Sequence, residues 1–409
     1  MILPTLRAFL RQRFTRVTTS VAFIPQLDGL RAVAIFLVIT HHVFAIYLET
    51  THRLGTGSLP RDWALIAPRS RLVNWALHTA IGVSMFFVIS GFILAIPFAR
   101  RYLKGIAPPS RKMYLLRRLI RMEPPYFLSM TFMFLLLLIG PHPSWTHFGQ
   151  MAHAFGFHYL ASIVYLHGAI YGEGSWINGV AWTLEIEVQF YLLLPVIAEL
   201  FRIRRTALRR AILIVVVIVS SLLAQFILPN LHNVRLELSC VSQMQFFLAG
   251  VLLADVYLDP PRIMRFGPHM SDALALVSAA ILVYVLHWRP AVTWTEPLLL
   301  IGLFFAVFHG RWMKRLFALP MLTIPGTMCY TIFLYHFLVA RTLLPFTILL
   351  FPPTHALWLD AGVQILLILP VLFLMSAILF LATERPFMVL SHEVARRFHP
   401  NPVPREVGV

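Results

Sequence analysis

Apolar runs long enough to cross a bilayer recur along almost the whole chain, and this feature limits its fold more than any other. A spanning helix takes about 20 mainly apolar residues. Segments of that kind lie near 27–48, 80–99, 124–140, 181–200, 211–228, 240–257, 272–287, 294–309, 320–343 and 358–382. Of 409 residues, 59% are hydrophobic and 12% charged, about half the charged share of a soluble domain. Lipid must therefore be the main solvent. The expected fold class is all-α, a polytopic transmembrane helix bundle of about ten spans. A single membrane domain over 27–385 would follow a basic extension, 1–26, and precede a tail, 386–409.

The net charge of +17 comes from 34 Lys and Arg against 17 Asp and Glu. Gathered into one stripe, such an excess would point to nucleic acid. Here it falls in short clusters between apolar runs, at 100–121, 202–210, 262–265, 311–315 and 396–397. That is the pattern of cytoplasmic loops under the positive-inside rule, so no nucleic-acid partner is expected. With the basic N-terminus also inside, every cluster is cytoplasmic and so are both termini. Counting 155–171 as a span would break this parity, so that stretch is expected to be re-entrant or interfacial. Pro124 and Pro125 are expected to open the third span. The stretch 1–16 carries Arg7, Arg11, Arg13 and Arg16 but no continuous apolar core, so it reads as a retained extension rather than a secretory signal.

An ionisable group inside a bilayer costs a few kcal/mol by insertion scales (~2.5–3.5), so each one is a candidate functional residue. The first span carries Asp28, Arg31, His41 and His42. Arg31 and His42 are eleven positions apart, about 16 Å along a helix and within about 20° of one face. His41 points about 100° away. His42 is thus the candidate general base, the side chain suited to taking a hydroxyl proton near neutral pH; a structural bond to a neighbouring helix is the alternative. In the fourth span Glu185 and Glu187 face opposite sides. Glu187, at the depth of His42, would orient the histidine, bind an acceptor hydroxyl or pair with an arginine. The segment ending Arg117-Arg118-Leu-Ile-Arg121-Met-Glu-Pro-Pro sets Arg118 and Arg121 one turn apart, as a seat for phosphates or as topology residues. Ser90 beside Gly91 offers either a cavity-lining hydroxyl or a close helix contact. Tyr335-His336 places a second histidine in the ninth span, for substrate or for a structural bond. The histidines are scattered, without the spacing of a zinc site, so no metal is expected.

Taken together, Asp28-Gly-Leu-Arg31 with His42, Phe87-Val-Ile-Ser90-Gly-Phe92, Arg117-Arg118-Leu-Ile-Arg121, Trp182-Thr-Leu-Glu-Ile-Glu187-Val-Gln189-Phe-Tyr191 and Tyr335-His336 closely resemble the acyltransferase-3 family of membrane O-acyltransferases. The resemblance runs nearly end to end. It implies transfer of an acyl group, first of all acetyl, from cytoplasmic acyl-CoA (acetyl-CoA) as co-substrate to a hydroxyl of a cell-envelope or secreted glycan or a lipid-linked sugar, in a bacterial inner membrane. It implies catalytic roles for His42, Arg31 and Glu187, donor binding by Arg118, Arg121 and Arg117, and substrate contacts from Asp28, Ser90, Gln189, Tyr191, Tyr335 and His336. Members often show two adjacent acids before the Gln-Phe-Tyr, and here Val188 replaces the second. Some members carry a C-terminal extracytoplasmic transferase domain. None follows here, so onward transfer would fall to another protein. The rival class is a transporter or flippase, since intramembrane His, Glu and Arg also mark ion and substrate pathways.

Overall fold

The computed structural model describes Phe14 and residues 24–51, 79–106, 111–139, 148–261, 267–353 and 357–398. The arginines of the N-terminal extension, Arg262 and Arg265 lie outside them. Among the described residues the chain is helical, with no strand. The long helices are α1 (Pro25–Thr50), α2 (Ile81–Lys104), α3 (Arg111–Ile139), α4 (Phe148–Ile163), α5 (Trp182–Ile197), α6 (Thr206–Leu222), α7 (Cys240–Leu258), α8 (Pro268–Trp288), α9 (Glu296–His309), α10 (Cys329–Leu350), α11 (Leu357–Leu379) and α12 (Arg385–Phe398). Nine helical stretches among the described residues are long and apolar enough to cross a membrane. The lipid-type exterior shows in bare apolar side chains such as Leu349, 79% exposed, and Leu366, 70% exposed.

Two expected boundaries change. The fourth span, by contrast, lies where it was expected, 181–200: α5 continues directly into a 3-10 turn, Ala198–Arg202. Pro124 and Pro125 do not open the third span but stand inside α3, whose first turns contain the basic segment. A proline leaves a backbone carbonyl without its usual N–H, and neighbouring helices can supply partners instead. The carbonyls so released are those of Ile120 and Arg121; next to them the Tyr330 hydroxyl of α10 donates to the Met122 carbonyl at 3.0 Å. The ninth span divides into a short helix, Pro320–Thr327, and α10 beginning at Cys329. The short helix packs across α1, which draws it out of line with α10. The stretch expected to be re-entrant is broken too: α4 ends before Tyr165, whose φ is 59°, and a five-residue helix, His167–Tyr171, follows.

Helix α1 lies between two apolar clusters. Leu27, Leu30 and Ala34 join α2, α5, α7 and α9, while Val38, Ile39 and Val43 join α3, α10 and α11. Lipid tails are as apolar as leucine, so helices in a bilayer associate by close packing rather than by expulsion of water. The α2–α7 crossing depends on two glycines. A Cβ on Gly91 would collide with the Phe247 carbonyl, and one on Gly250 with that of Val88. Gly250→Val is therefore expected to cost at least ~1–3 kcal/mol by overpacking, read as a lower melting temperature in detergent. An unchanged melt would show that the crossing tolerates separation. Helix α6 is pinned to α7 by ionic contacts, with Asp255 accepting from Arg209 and, at 2.6 Å, from Arg210.

Candidate active site

Four helices bring polar side chains, three of the helices charged ones, to one cavity of about 120 Å³. Arg31 comes from α1, Ser90 from α2, Arg118 and Arg121 from α3, and Glu187 from α5, with walls formed largely by apolar side chains such as Val83, Phe86, Ile93 and Phe333. Arg31 and Arg118 are each placed by a neighbour within reach of the guanidinium. Asp28, one turn before Arg31, accepts from Arg31 Nη1 at 2.5 Å. Glu187 Oε1 accepts from Arg118 Nη2 at 3.1 Å and also from the Ser90 hydroxyl. Arg118 Nη2 donates in addition to the Tyr191 hydroxyl, and its guanidinium lies 4.2 Å from that ring's centroid. A cation over an aromatic face adds roughly 0.5–2 kcal/mol. These contacts hold the cavity's shape before a ligand arrives.

His42 lies farther along α1, against α10. Its Nδ1 is 3.0 Å from the Val38 carbonyl and 3.2 Å from His336 Nε2, while His336 Nδ1 is 2.8 Å from the Phe333 carbonyl. A carbonyl only accepts, so each Nδ1 must carry the hydrogen. His336 Nε2 is then a lone pair and accepts from His42 Nδ1–H. By elimination, the neutral His42 ring has its Nε2 lone pair free, the form a general base requires. The ring of Phe333 connects the two regions: it lines the cavity and sits 5.6 Å from the His336 ring and 6.1 Å from that of Phe86.

The structure divides the remaining sequence candidates. Glu187 does not orient His42; α5 places it with Ser90 and Arg118, and His336 takes the position beside His42. Gln189 is engaged structurally, its side-chain oxygen accepting from the Cys240 backbone N–H at 2.8 Å at the start of α7. Tyr335 is buried toward Phe132 of α3, away from the cavity lining. Arg117 is also outside that lining, and its carbonyl accepts from Ser391 of α12 at 3.1 Å. Glu185 accepts from the Gly168 N–H at 2.9 Å.

Sequence reasoning missed Tyr330, Phe333 and a cluster in the 155–178 stretch. There the His158 ring lies between Trp176 (3.9 Å) and Tyr171 (4.1 Å) and hydrogen-bonds to His167 at 2.7 Å. The available signal was the density of His, Tyr and Trp in a segment that parity had already kept from spanning.

The family model for acyltransferase-3, described as an acyltransferase domain, matches residues 24–384. "Putative O-acetyltransferase SACOL0978" of Staphylococcus aureus (strain COL) is 24% identical over 341 residues, covering 78% of this chain and 50% of its own length. "Putative O-acetyltransferase SAS0844" of strain MSSA476 is 23% identical over the same shares. "Nodulation protein 10" of Rhizobium leguminosarum bv. viciae is 25% identical over 286 residues, 66% of this chain and 74% of the relative. The chain spans about half the length of the staphylococcal relatives. No solved structure matches it. With the model running from the residue before α1 to the end of the last apolar stretch, through every helix that supplies the cavity and the histidine pair, the chain belongs to the acyltransferase-3 family.

Proposed function

We propose that this chain is a membrane O-acyltransferase that moves an acyl group, most simply acetyl, from cytoplasmic acyl-CoA to a hydroxyl of an envelope or secreted glycan. The observation that carries the reading is the His42–His336 pair, which leaves His42 Nε2 as a free base on the helix that also presents Arg31 to the cavity. In the proposed step His42 Nε2 removes the acceptor hydroxyl proton and the oxygen attacks the thioester carbonyl. The C–S bond then breaks, and the imidazolium returns its proton to the departing thiolate. Holding both reactants in this geometry supplies much of the rate. The small cavity roofed by Phe86 and Phe333 supports a short acyl group, and so do the names of the staphylococcal relatives. The half-exposed Trp176, stacked on His158, supports a sugar acceptor, since a sugar ring packs on an aromatic face. Both termini would lie in the cytoplasm, with the acceptor entering from the opposite side.

Release of coenzyme A from acetyl-CoA by purified protein in nanodiscs, with and without pooled envelope glycans, tests this reading. Release that needs glycan and His42 supports it. Glycan-independent release, or none from any acyl-CoA, overturns it. His336 acts through His42, so His336→Ala is expected to lower kcat by about 10²-fold, at the lower end of what general-base catalysis contributes, and to shift the pH profile. His336→Gln, whose side-chain oxygen can accept in place of Nε2, is expected to restore most of the rate. Equal loss in both variants would make His336 a packing residue only.

A further inference from the structure

The cavity at Arg118 and Arg121, about 120 Å³, is too small for the nucleotide end of a donor, because pockets that hold ligands of that size run to about 300–1,000 Å³. Arg118 also borders a cavity of about 350 Å³, but its walls are mainly apolar, Leu115, Leu119, Ile163 and Leu192 among them, and Glu123 and Glu187 add carboxylates that disfavour phosphate. A cavity of about 680 Å³ lies elsewhere, where the end of α2 meets the start of α6. Arg101, Lys104, Arg202, Arg204 and Arg209 line it, with Asp259 as the carboxylate among the lining residues. Asp259 is already approached by Arg210 at 3.5 Å, and Glu199 holds Arg202 at 3.0 Å.

Two further features suit an anion. Helix α6 begins here at Thr206 with no side-chain cap, so its first N–H groups and the positive end of its dipole lie at the cavity. Arg209 is 1% exposed, donating to Asp255 and to the Ile203 carbonyl, yet its Nη2 has no hydrogen-bond partner. A bound phosphate oxygen would give that buried N–H the partner it lacks.

We infer that this cavity binds the phosphate-bearing nucleotide end of the acyl-CoA donor. The inference rests on the donor reading above and relocates the phosphates from Arg118 and Arg121. Helix α2 supplies the connection. Ser90 at the reactive cavity and Arg101 at this one are eleven residues apart, about 16 Å along the axis and within about 20° of one face. An extended pantetheine arm runs along such a span. Phosphates would then sit at the basic mouth, and the thioester would reach the charged cavity and His42.

The test compares wild type with the double variant Arg101→Ala/Arg204→Ala, both exposed positions whose loss spares the packing, in nanodiscs of neutral lipid. Dissociation constants are measured for coenzyme A, for adenosine 3′,5′-bisphosphate and for S-acetylpantetheine, which has no nucleotide. The first two are expected to weaken at least tenfold and the third to change less than twofold, with the melting temperature unchanged. Coenzyme A affinity within twofold of wild type in the variant would overturn the site and leave the donor reading standing. Wild-type protein that binds no coenzyme A would overturn both. An anionic phospholipid shares the phosphate chemistry. If phosphatidylglycerol in the nanodisc displaces the bisphosphate from wild type, the cavity is a lipid-headgroup site and the inference fails.

Discussion

His42→Ala is expected to lower acyl transfer by about 10²–10⁴-fold, the range supplied by a positioned general base, while donor affinity and melting temperature stay near wild type. The loss should appear in kcat, because the imidazole acts on the acceptor proton and the donor's binding groups lie elsewhere. His41 cannot substitute: it is adjacent in sequence and therefore about 100° around the helix, its ring 5.2 Å from that of His42 and perpendicular to it. The same variant separates direct transfer from a covalent acyl-histidine step. Labelled acetyl retained by wild-type protein without acceptor, and absent from His42→Ala, would establish the covalent route. Coenzyme A release at the wild-type rate by His42→Ala would remove His42 from the chemistry altogether.

What could be read from the sequence was whatever depends on period and cost. The apolar runs gave the helical membrane fold, the expense of Arg31, His42 and Glu187 in such runs marked them as candidates, and the one-turn spacing in a basic segment marked Arg118 and Arg121. Arg31, Arg118, Arg121 and Glu187 do meet at one cavity. What could not be read is which helix faces which. His336 lies 294 residues from the histidine it bonds, and no local period encodes that contact. Glu187 was matched to His42 by estimated depth, but depth does not say which way a side chain faces, and Glu187 is engaged by Ser90 and Arg118 instead. Gln189 was counted with the site on the resemblance, yet it stands two positions from Glu187, and residues so spaced on a helix point in nearly opposite directions; its partner is the start of α7. Arg209 was read as an orientation signal. Its burial against Asp255 and its place beside a large basic cavity emerge only when α6 and α7 are packed together.

The ion pair at the centre of the cavity gives the second large expected effect. Arg118 and Glu187 retain 20% and 14% side-chain exposure, so the pair is largely but not wholly withdrawn from solvent. Arg118→Met would leave Glu187 with the Ser90 hydroxyl as donor and a negative charge in a confined, mostly apolar space. Breaking a fully buried pair costs about 3–5 kcal/mol; the residual exposure here puts the expected loss of stability near about 3 kcal/mol, with transfer falling by about two orders of magnitude as the cavity loses its shape. Glu187→Gln keeps the hydrogen bond to Ser90 while removing the charge. Combined with Arg118→Met, it should therefore recover part of the loss, because no unpaired carboxylate remains. The double variant is expected to lie above the sum of the single losses by about 0.5–3 kcal/mol, the usual coupling between contacting residues. A cycle of melting temperatures and kcat/KM values checks this. Strict additivity would mean that the two side chains act independently, and the charged cavity would then be a meeting of separate contacts rather than a single preorganised site.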